Sequence, residues 1–303
     1  MQTVPSFTPI AGEPFALSDD LTLVLAPNPS PMTYLGTNTY LLGKKTLAVI
    51  DPGPDSEPHL DALLRAIAGR PVSHIFVTHS HLDHSPLAAK LAAKTAAPVL
   101  AFGDSAAGRS AVMQELADLG TVGGGEGIDT GFQPDVFLAD GATVTGDWGA
   151  LQALHTPGHI GNHLCLRWGD RIFTGDHVMG WASSLVSPPD GDLTAFMASC
   201  RRLQGIPVAI YYPGHGAPIS DPAGRLEWLI THRDGRTAQI MAALETGPAT
   251  AAAITKAVYT DVAPALLPAA ERNVLAHLID LCVQGVAQAT PAISATATFA
   301  LTD

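Results

Sequence analysis

Four side chains that commonly bind metal ions fall within six consecutive positions of the sequence. They are His79, His81, Asp83 and His84, and they directly follow an apolar run that ends at Thr78. A loop that leaves a strand can aim all four side chains at one point. Imidazole nitrogens and carboxylate oxygens bind zinc and other borderline divalent cations, and the imidazoles must be neutral to do so. The cluster therefore predicts a metal site rather than four unrelated polar residues.

Three further candidate ligands stand just beyond other predicted strands. His159 ends the motif His-Thr-Pro-Gly-His, Asp176 ends Thr-Gly-Asp, and His215 ends Tyr-Pro-Gly-His. Open α/β sheets usually place their sites at strand ends, and glycine lets the chain approach closely. We expect these three side chains to join the first four.

The elements that must position these residues can be read from apolar periodicity between Leu21 and Ile219. Short apolar runs alternate with helical stretches, which is typical of an α/β fold whose sheets are covered by helices. Strands are predicted over residues 21–25, 39–42, 46–50, 74–78, 99–101, 151–155, 163–168, 171–174 and 209–212. Helices are predicted over residues 58–68, 86–94 and 193–203.

The alternating pattern lapses between Gly108 and Pro134, where the run 122–127 reads Val-Gly-Gly-Gly-Glu-Gly. So many glycines predict a segment too flexible to belong to a core. Two interpretations remain open, a mobile loop over the site and a solvated insertion.

A change of pattern at Asp221 and Pro222 predicts the start of a long helix, because Asp caps helices and Pro suits the first turn. Shorter helices are predicted over residues 251–259 and 269–284, followed by a strand-forming tail over 286–301. This order predicts a catalytic domain over residues 1–221 and a small winged-helix-like domain over 222–303.

Composition limits the classes of partner. The chain has 303 residues, a formal net charge of -12 and a pI near 5.3, so its overall field repels polyanions. Residues 225–303 carry five Arg and Lys against seven acidic residues, which disfavours RNA binding by this part.

The sequence also carries signals about location. Three cysteines without a paired motif favour a reducing compartment. The N-terminus lacks the basic start and apolar run of a signal peptide, and no stretch approaches the ~20 apolar residues of a membrane span. We expect a cytoplasmic protein without a membrane partner.

The motifs His-x-His-x-Asp-His, His-Thr-Pro-Gly-His, Gly-Asp and Gly-His-Gly together resemble the metallo-β-lactamase superfamily between about Asn38 and Gly216. That resemblance implies a four-layer αβ/βα sandwich that binds two metal ions. It implies one metal ion held by His79, His81 and His159, a second held by Asp83, His84 and His215, and Asp176 bridging both.

One further residue enters through the resemblance. Asp51 stands at the family's Ile-Asp-Pro-Gly position and is expected to accept a hydrogen bond from a ligand imidazole. The alternative is that Asp51 only forms the turn.

The implied mechanism is hydrolytic. A carboxylate can bridge two cations, and a water shared by them loses its proton more easily than bulk water, giving a hydroxide nucleophile. The metals also polarise the scissile group, and Asp83 is the candidate catalytic residue that orients the nucleophile or returns a proton. No serine or cysteine nucleophile is required.

Within the superfamily, the branch is indicated by Asp176 and by the C-terminal part. True β-lactamases often carry Cys or Ser at the position of Asp176, and glyoxalase II, which shares the aspartate, differs in its C-terminal part. Over the whole chain the sequence resembles the beta-lactamase-like protein 2 group, through Thr231-His-Arg and Asn273-Val-Leu-Ala-His-Leu among other segments. Animal members of that group are associated with single-stranded RNA cleavage. Ser85-Pro86-Leu87 departs from the group's frequent Ser-Gly-Gly.

Three functional hypotheses follow. The first is a hydrolase with two divalent metal ions, Zn²⁺ before Fe or Mn, acting on a small-molecule ester, thioester, lactam or phosphodiester. The second is a single-stranded RNA endonuclease of the beta-lactamase-like protein 2 type. The third is a non-catalytic metal-binding or regulatory protein in which the winged helix binds a partner, and a homodimer is compatible with all three.

Overall fold

The computed structural model describes residues 7–125 and 127–302. Its first sheet has seven strands, which follow one another in sequence order from edge to edge. Its first four strands pair antiparallel and the remaining pairs are parallel. The strands are β1 (Pro14–Ser18), β2 (Leu21–Leu25), β3 (Asn38–Leu42), β4 (Leu47–Ile50), β5 (Val72–Phe76), β6 (Val99–Ala101) and β7 (Val136–Phe137).

The second sheet has five strands in the order β12-β11-β10-β9-β8. Its pairs are antiparallel except for the parallel pair of β11 with β12. The strands are β8 (Thr143–Gly146), β9 (Gly149–His155), β10 (Leu164–Trp168), β11 (Arg171–Gly175) and β12 (Ile210–Pro213).

Helices cover the outer faces of both sheets. Helices α1 (Glu57–Ile67) and α2 (Leu87–Thr95) pack on the first sheet, and α4 (Leu193–Gln204) and α5 (Pro222–Glu245) pack on the second. Local sequence explains their starts, since Ser56, Asp192 and Asp221 each accept a hydrogen bond from a backbone N–H of the first turn.

A central apolar core lies between the two sheets. Phe76 and Tyr40 of the first sheet meet Phe173 and Leu166 of the second, and the rings of Tyr40 and Phe173 are 5.1 Å apart. Truncating a fully buried aromatic such as Phe76 to Ala would cost about 3–5 kcal/mol. The arrangement of helices, sheet, sheet and helices confirms the expected four-layer αβ/βα sandwich.

The C-terminal part forms a smaller unit around its own core. It contains α6 (Ala251–Val258), a 3₁₀ turn (Pro264–Leu266), α7 (Leu267–Val283) and a three-stranded sheet in the order β13-β15-β14. The strands are β13 (Ala249–Thr250), β14 (Ala287–Thr290) and β15 (Thr298–Leu301). Helix α5 serves both units, because Leu226 and Leu229 pack on the second sheet while Ile240 and Leu244 lie in the C-terminal core.

The insertion between Gly108 and Pro134 differs from its prediction. It contains helix α3 (Ala111–Leu119), and Met113, Leu116 and Val122 are buried in the core of the C-terminal unit. The glycines after Val122 led to the prediction that this run lies outside a core. The sequence did contain the signals of helix α3, because Ser110 caps its start and Gly120 ends it in a left-handed conformation.

The other predicted elements agree with the structure. Each of the nine predicted strands overlaps an observed one, but the strand predicted over 74–78 is β5, which ends at Phe76. The prediction omitted β1, β7, β8 and the two-residue strand β13. Within the part of the chain that the structure describes, none of the helices has the length and apolarity needed to cross a bilayer.

Candidate metal centre

The seven candidate ligands meet at one edge of the two sheets, just beyond the strand ends. The loop after β5 carries four of them, and β9, β11 and β12 are each followed by one. The approach is close, since a side chain at Gly214 would clash with Asp176 Oδ1 and would lie 2.7 Å from His84 Cε1. Glycine is therefore required before His215, as its place in the motif suggested.

One group of ligand atoms consists of three imidazole nitrogens. His79 Nε2 and His159 Nε2 each lie 2.9 Å from His81 Nδ1. His79 and His159 are buried, whereas His81 is partly exposed.

The second group combines imidazoles with carboxylates. His215 Nε2 lies 3.1 Å from Asp83 Oδ2 and 3.3 Å from Asp176 Oδ2, and His84 Nε2 lies 3.4 Å from Asp176 Oδ1. Asp176 Oδ2 is also 3.8 Å from His159 Nε2 of the first group. The Asp176 carboxylate therefore lies between the two groups, where a bridging ligand would have to stand.

In four of the five candidate histidines, Nδ1 points away from the other ligands and donates a hydrogen bond, which fixes the orientation of the ring. His159 Nδ1 donates to the Leu185 carbonyl at 2.7 Å, and His215 Nδ1 donates to the Gly36 carbonyl at 3.0 Å. His84 Nδ1 donates to Asp51 Oδ2 at 3.0 Å. The fourth is His79, whose Nδ1 lies 2.9 Å from Thr78 Oγ1.

Asp51 is linked by hydrogen bonds to two of these histidines, directly to His84 and through Thr78 to His79. Its carboxylate accepts from Thr78 N at 2.7 Å and from Thr78 Oγ1 at 2.8 Å, in addition to His84. Because the Thr78 hydroxyl donates to Asp51, it accepts from His79 Nδ1. Asp51 adopts a positive φ of 51°, a conformation that is uncommon for a residue other than glycine and that is found more often at functional sites.

Because Nδ1 carries the proton in these histidines, Nε2 is unprotonated in each neutral ring. His79 Nε2 and His159 Nε2 both point lone pairs at His81 Nδ1, which can donate a proton to only one of them. Asp176 Oδ1 is buried and has no hydrogen-bond partner among the described residues. A cation in each group would satisfy these atoms, so the residues fit the two metal ions that the sequence implied.

Electrostatics differ between the two groups. Burial lowers the pKa of His81 to about 3, and burial with neighbouring imidazoles holds the pKa of His79 well below its usual value. Burial alone would lower the pKa of His215, but the negative charges of Asp176 and Asp83 outweigh burial and raise this pKa to about 9. The pKa of His84 is likewise raised well above its usual value, because Asp83, Asp176 and Asp51 outweigh burial. Protons therefore compete with a metal ion at the second group far more than at the first.

A cavity of about 620 Å³ opens onto the ligands. Its lining is largely apolar. One open interpretation of the sequence placed the insertion over the site, but the individual residues that line the cavity besides the ligands were not identified from the sequence. They are Met32, Thr33, Leu82, Gly127, Ile128, Met179, Leu185, Ser187, Asp190, Pro268, Ala269 and Arg272.

The insertion and the first turn of helix α7 wall this cavity. The insertion is tied to the ligand loop by backbone hydrogen bonds of 2.8 Å from Leu82 N to Gly127 O and from Asp129 N to Ser80 O. Pro268 and Ala269, in the first turn of α7, close another side. The insertion is thus part of the site wall and is not simply a solvated segment.

The family model of the Metallo-beta-lactamase superfamily matches residues 32–215, which include every candidate ligand. The chain belongs to the metallo-β-lactamase superfamily. The model of the Beta-lactamase associated winged helix domain matches residues 250–293, so the C-terminal unit of this metallo-β-lactamase family member is a winged-helix domain.

Relatives within the metallo-β-lactamase superfamily carry different names. A Beta-lactamase-like protein 2 homolog of Drosophila melanogaster is 31% identical over 89% of this chain and 90% of its own length. Lactamase-like protein adaB of Aspergillus niger is 34% identical over 73% of this chain, and the alignment spans only 63% of that relative. Atrochrysone carboxyl ACP thioesterase AgnL7 of Paecilomyces divaricatus is 31% identical over 76% of this chain and 66% of its own length.

The fold is also shared with a solved structure of the superfamily. A metallo-beta-lactamase family protein from Thermus thermophilus superposes with a TM-score of 0.75 and 25% identity. The match covers 95% of this chain and 100% of that protein, so it includes both the sandwich and the C-terminal domain.

Proposed function

We propose that this chain is a hydrolase with two divalent metal ions that cleaves an ester or thioester carrying an apolar acyl group. The observation that carries the proposal is the position of the two ligand groups, which lie on either side of the Asp176 carboxylate and open onto one largely apolar cavity. Zinc is the metal we expect first, because imidazole and carboxylate ligands suit it, while iron or manganese fits the same donors.

Two bound divalent cations would supply an activated water and would polarise the scissile carbonyl. The side chains of this protein then orient the reactants. Asp83 has the more exposed side chain of the two carboxylates, 25% against 9% for Asp176, so it can reach a water or a leaving group in the cavity. Burial raises the pKa of Asp83, but His84 and His215 outweigh it and keep the carboxyl ionised at neutral pH. Asp83 is therefore suited to accept a hydrogen bond from the attacking water.

The cavity lining favours an acyl substrate over a polyanion. Met32, Leu82, Ile128 and Met179 present apolar surface beside the ligands, and burying it against an acyl chain is favourable by about 25 cal/mol per Å². Arg272 also lines the cavity, but Nε and both Nη atoms donate to Ser187 Oγ and to the Val122 and Pro188 carbonyls. This guanidinium is already engaged within the protein. The thioesterase name of one relative supports the same reaction class.

The test is a screen of purified protein loaded with Zn²⁺, Fe²⁺ or Mn²⁺ after elemental analysis. Substrates are p-nitrophenyl esters and coenzyme A thioesters from acetyl to dodecanoyl, with a lactam, a phosphodiester and single-stranded RNA alongside. We expect two metal ions per chain and chelator-sensitive hydrolysis that improves with acyl length. Chelator-resistant turnover, or activity on the phosphodiester alone, would contradict the proposal.

A second candidate is single-stranded RNA cleavage. It is favoured by the likeness to the Drosophila Beta-lactamase-like protein 2 homolog, which extends over most of both chains. The acidic C-terminal region weighs against it, since phosphate tracking requires clustered cations. Chelator-sensitive RNA cleavage in the same screen would give this candidate precedence, and a chain that binds no metal would favour the regulatory hypothesis.

A further inference from the structure

Two C-terminal motifs that the proposed function does not use meet behind the metal centre. Arg233 ends Thr231-His-Arg on α5, and Asn273 begins Asn-Val-Leu-Ala-His-Leu on α7. Arg233 is only 3% exposed, and its Nη1 donates to Asn273 Oδ1 at 3.1 Å. The two side chains form a buried contact between α5 and α7.

Both residues bind one short segment of the catalytic domain, residues 184–186. Arg233 Nη2 donates to the carbonyl of Ser184, and the backbone N–H of Val186 donates to Asn273 Oδ1 at 3.1 Å. Asn273 Oδ1 thus accepts from Val186 and from Arg233. The segment is held at both of its ends.

The same segment supports two of the candidate metal ligands. The Leu185 carbonyl accepts from His159 Nδ1 at 2.7 Å. Ser184 Oγ donates to the carbonyl of Asp176 and, at 2.9 Å, to that of His177. Residues 184–186 therefore contact one histidine of the first group and the carboxylate residue that lies between the groups.

We propose that Arg233 and Asn273 are positioning residues that clamp residues 184–186 and thereby fix the orientation of His159 and Asp176. The inference rests on the metal-binding role of the two ligands in the proposed function. The winged-helix domain is then a structural part of the metal centre, independently of any contact it makes with substrate.

The free energy that is needed to bury the charged side chain of Arg233 supports a specific role for this residue as a clamp. Burial lowers its pKa to about 10, which leaves the guanidinium charged at neutral pH. Its contacts are neutral groups, namely the Ser184 carbonyl, the Asn273 amide and the Phe196 ring, whose centroid is 5.2 Å from Cζ. A buried charge is expensive unless its hydrogen bonds are satisfied, and an apolar side chain would pack α5 on α4 at lower cost. The forked guanidinium instead reaches two acceptors through Nη1 and Nη2, while its Nε has no hydrogen-bond partner among the described residues.

Metal affinity, measured by competition with a chromophoric chelator, is the readout. Arg233→Met should weaken binding of at least one Zn²⁺ ion about 10–100-fold and change the visible spectrum of the Co²⁺-substituted protein, because supporting residues tune their ligands by that amount. The matched control is Arg236→Met. Arg236 lies on the same helix but donates to the Val258 carbonyl and packs over Tyr259, so its loss should leave affinity and spectrum unchanged.

The Asn273 variants make the test independent of how well Arg233→Met folds. Asn273→Ala should reproduce the loss of affinity, and Asn273→Asp should rescue it because an acceptor oxygen remains for Val186 and Arg233. Ser184→Ala, which removes the hydroxyl bonded to the Asp176 carbonyl, should also weaken binding. Since both clamp residues hold the same segment, the double variant should lose less affinity than the two single losses combined.

The outcomes separate this inference from the proposed function. Unchanged metal affinity and Co²⁺ spectrum in Asn273→Ala or in a folded Arg233→Met, with only a lower melting temperature, would overturn the clamp and leave the metal centre intact. Failure of the wild-type chain to bind Zn²⁺, Fe²⁺ or Mn²⁺ would overturn the proposed function itself.

Discussion

The buried carboxylate of Asp51 lies 3.0 Å from Nδ1 of His84, while Nε2 of the same ring faces Asp83 and Asp176. Through Thr78, the same carboxylate also fixes the orientation of His79 in the other ligand group. One side chain outside the ligand set thus sets the tautomers of a histidine in each group.

Replacing Asp51 by Asn should weaken metal binding about 10–100-fold while the fold is retained. The substitution is nearly isosteric, but it removes the negative charge and one of the two acceptor oxygens shared by Thr78 and His84. Isothermal titration of the metal-free protein with Zn²⁺ measures the effect. Asp140→Asn is the control, because Asp140 pairs with Arg202 at the surface, and equal affinities in both variants would contradict the role of Asp51.

Asp176→Asn should remove the shared carboxylate and lower turnover at least about 100-fold, since the variant loses both ligand charge and the water-activating geometry. Elemental analysis after dialysis should show a loss of metal relative to the wild-type chain. Wild-type turnover in a variant that retains one ion would show that the second ion is dispensable.

Metal binding should occur in two steps with different pH dependence. His215, whose pKa is about 9, and His84, whose pKa is also raised well above its usual value, must each lose a proton to bind, so affinity at the second group should rise about tenfold per pH unit for each proton released. His81, with a pKa of about 3, is already neutral at pH 7, so affinity at the first group should be nearly constant there. Titrations at pH 6, 7 and 8 in matched buffers test this, and parallel slopes for both steps would contradict it.

A larger side chain at position 269 should shift the substrate preference of the protein toward shorter acyl groups. The side chain lies on the first turn of α7 and lines the cavity, so Ala269→Phe should lower kcat/KM for dodecanoyl substrates far more than for acetyl substrates. Ala265→Phe, at an exposed position of the preceding turn, is the control. A uniform decrease over all chain lengths would indicate that the acyl group lies elsewhere.

The metal-free protein should lose stability in mild acid. Burial lowers the pKa of His59 to about 4 and that of His277 to about 3, while the unfolded chain titrates near 6.5. The unfolded state therefore binds more protons below pH 6.5, and each group removes about 1.4 kcal/mol per pH unit as the pH falls toward its folded value. Urea unfolding from pH 7 to 4 measures the slope, and His277→Phe should make it shallower by one proton.

The location of the ligand set and the layered fold could be inferred from the chain because both depend on local pattern. His79, His81, Asp83 and His84 are neighbours in sequence, and apolar periodicity predicted the strands that precede the other ligands. Helix α5 was also predicted to its first residue, since Asp221 and Pro222 act within one turn.

The errors and omissions concern contacts between distant parts of the chain. The glycine-rich run that begins at Val122 was predicted to be too flexible to belong to a core, but Val122 is fully buried in the core of the C-terminal unit. The predicted division at Asp221 stays a prediction, and the packing of α5 into both cores shows how closely the two units are joined. No local pattern records which unit a helix will cover.

The sequence by itself determined which residues could bind metal and which strand end carries each of them, because residue type and short-range spacing encode both. Only the tertiary structure decided that Asp176 lies between two groups, that α7 and the insertion wall one cavity, and that Arg233 reaches Ser184. Those relationships join residues up to 150 positions apart, as between Val122 and Arg272. They arise from the way the four layers and the C-terminal domain close on one another, which depends on the packing of whole surfaces rather than on adjacent residues.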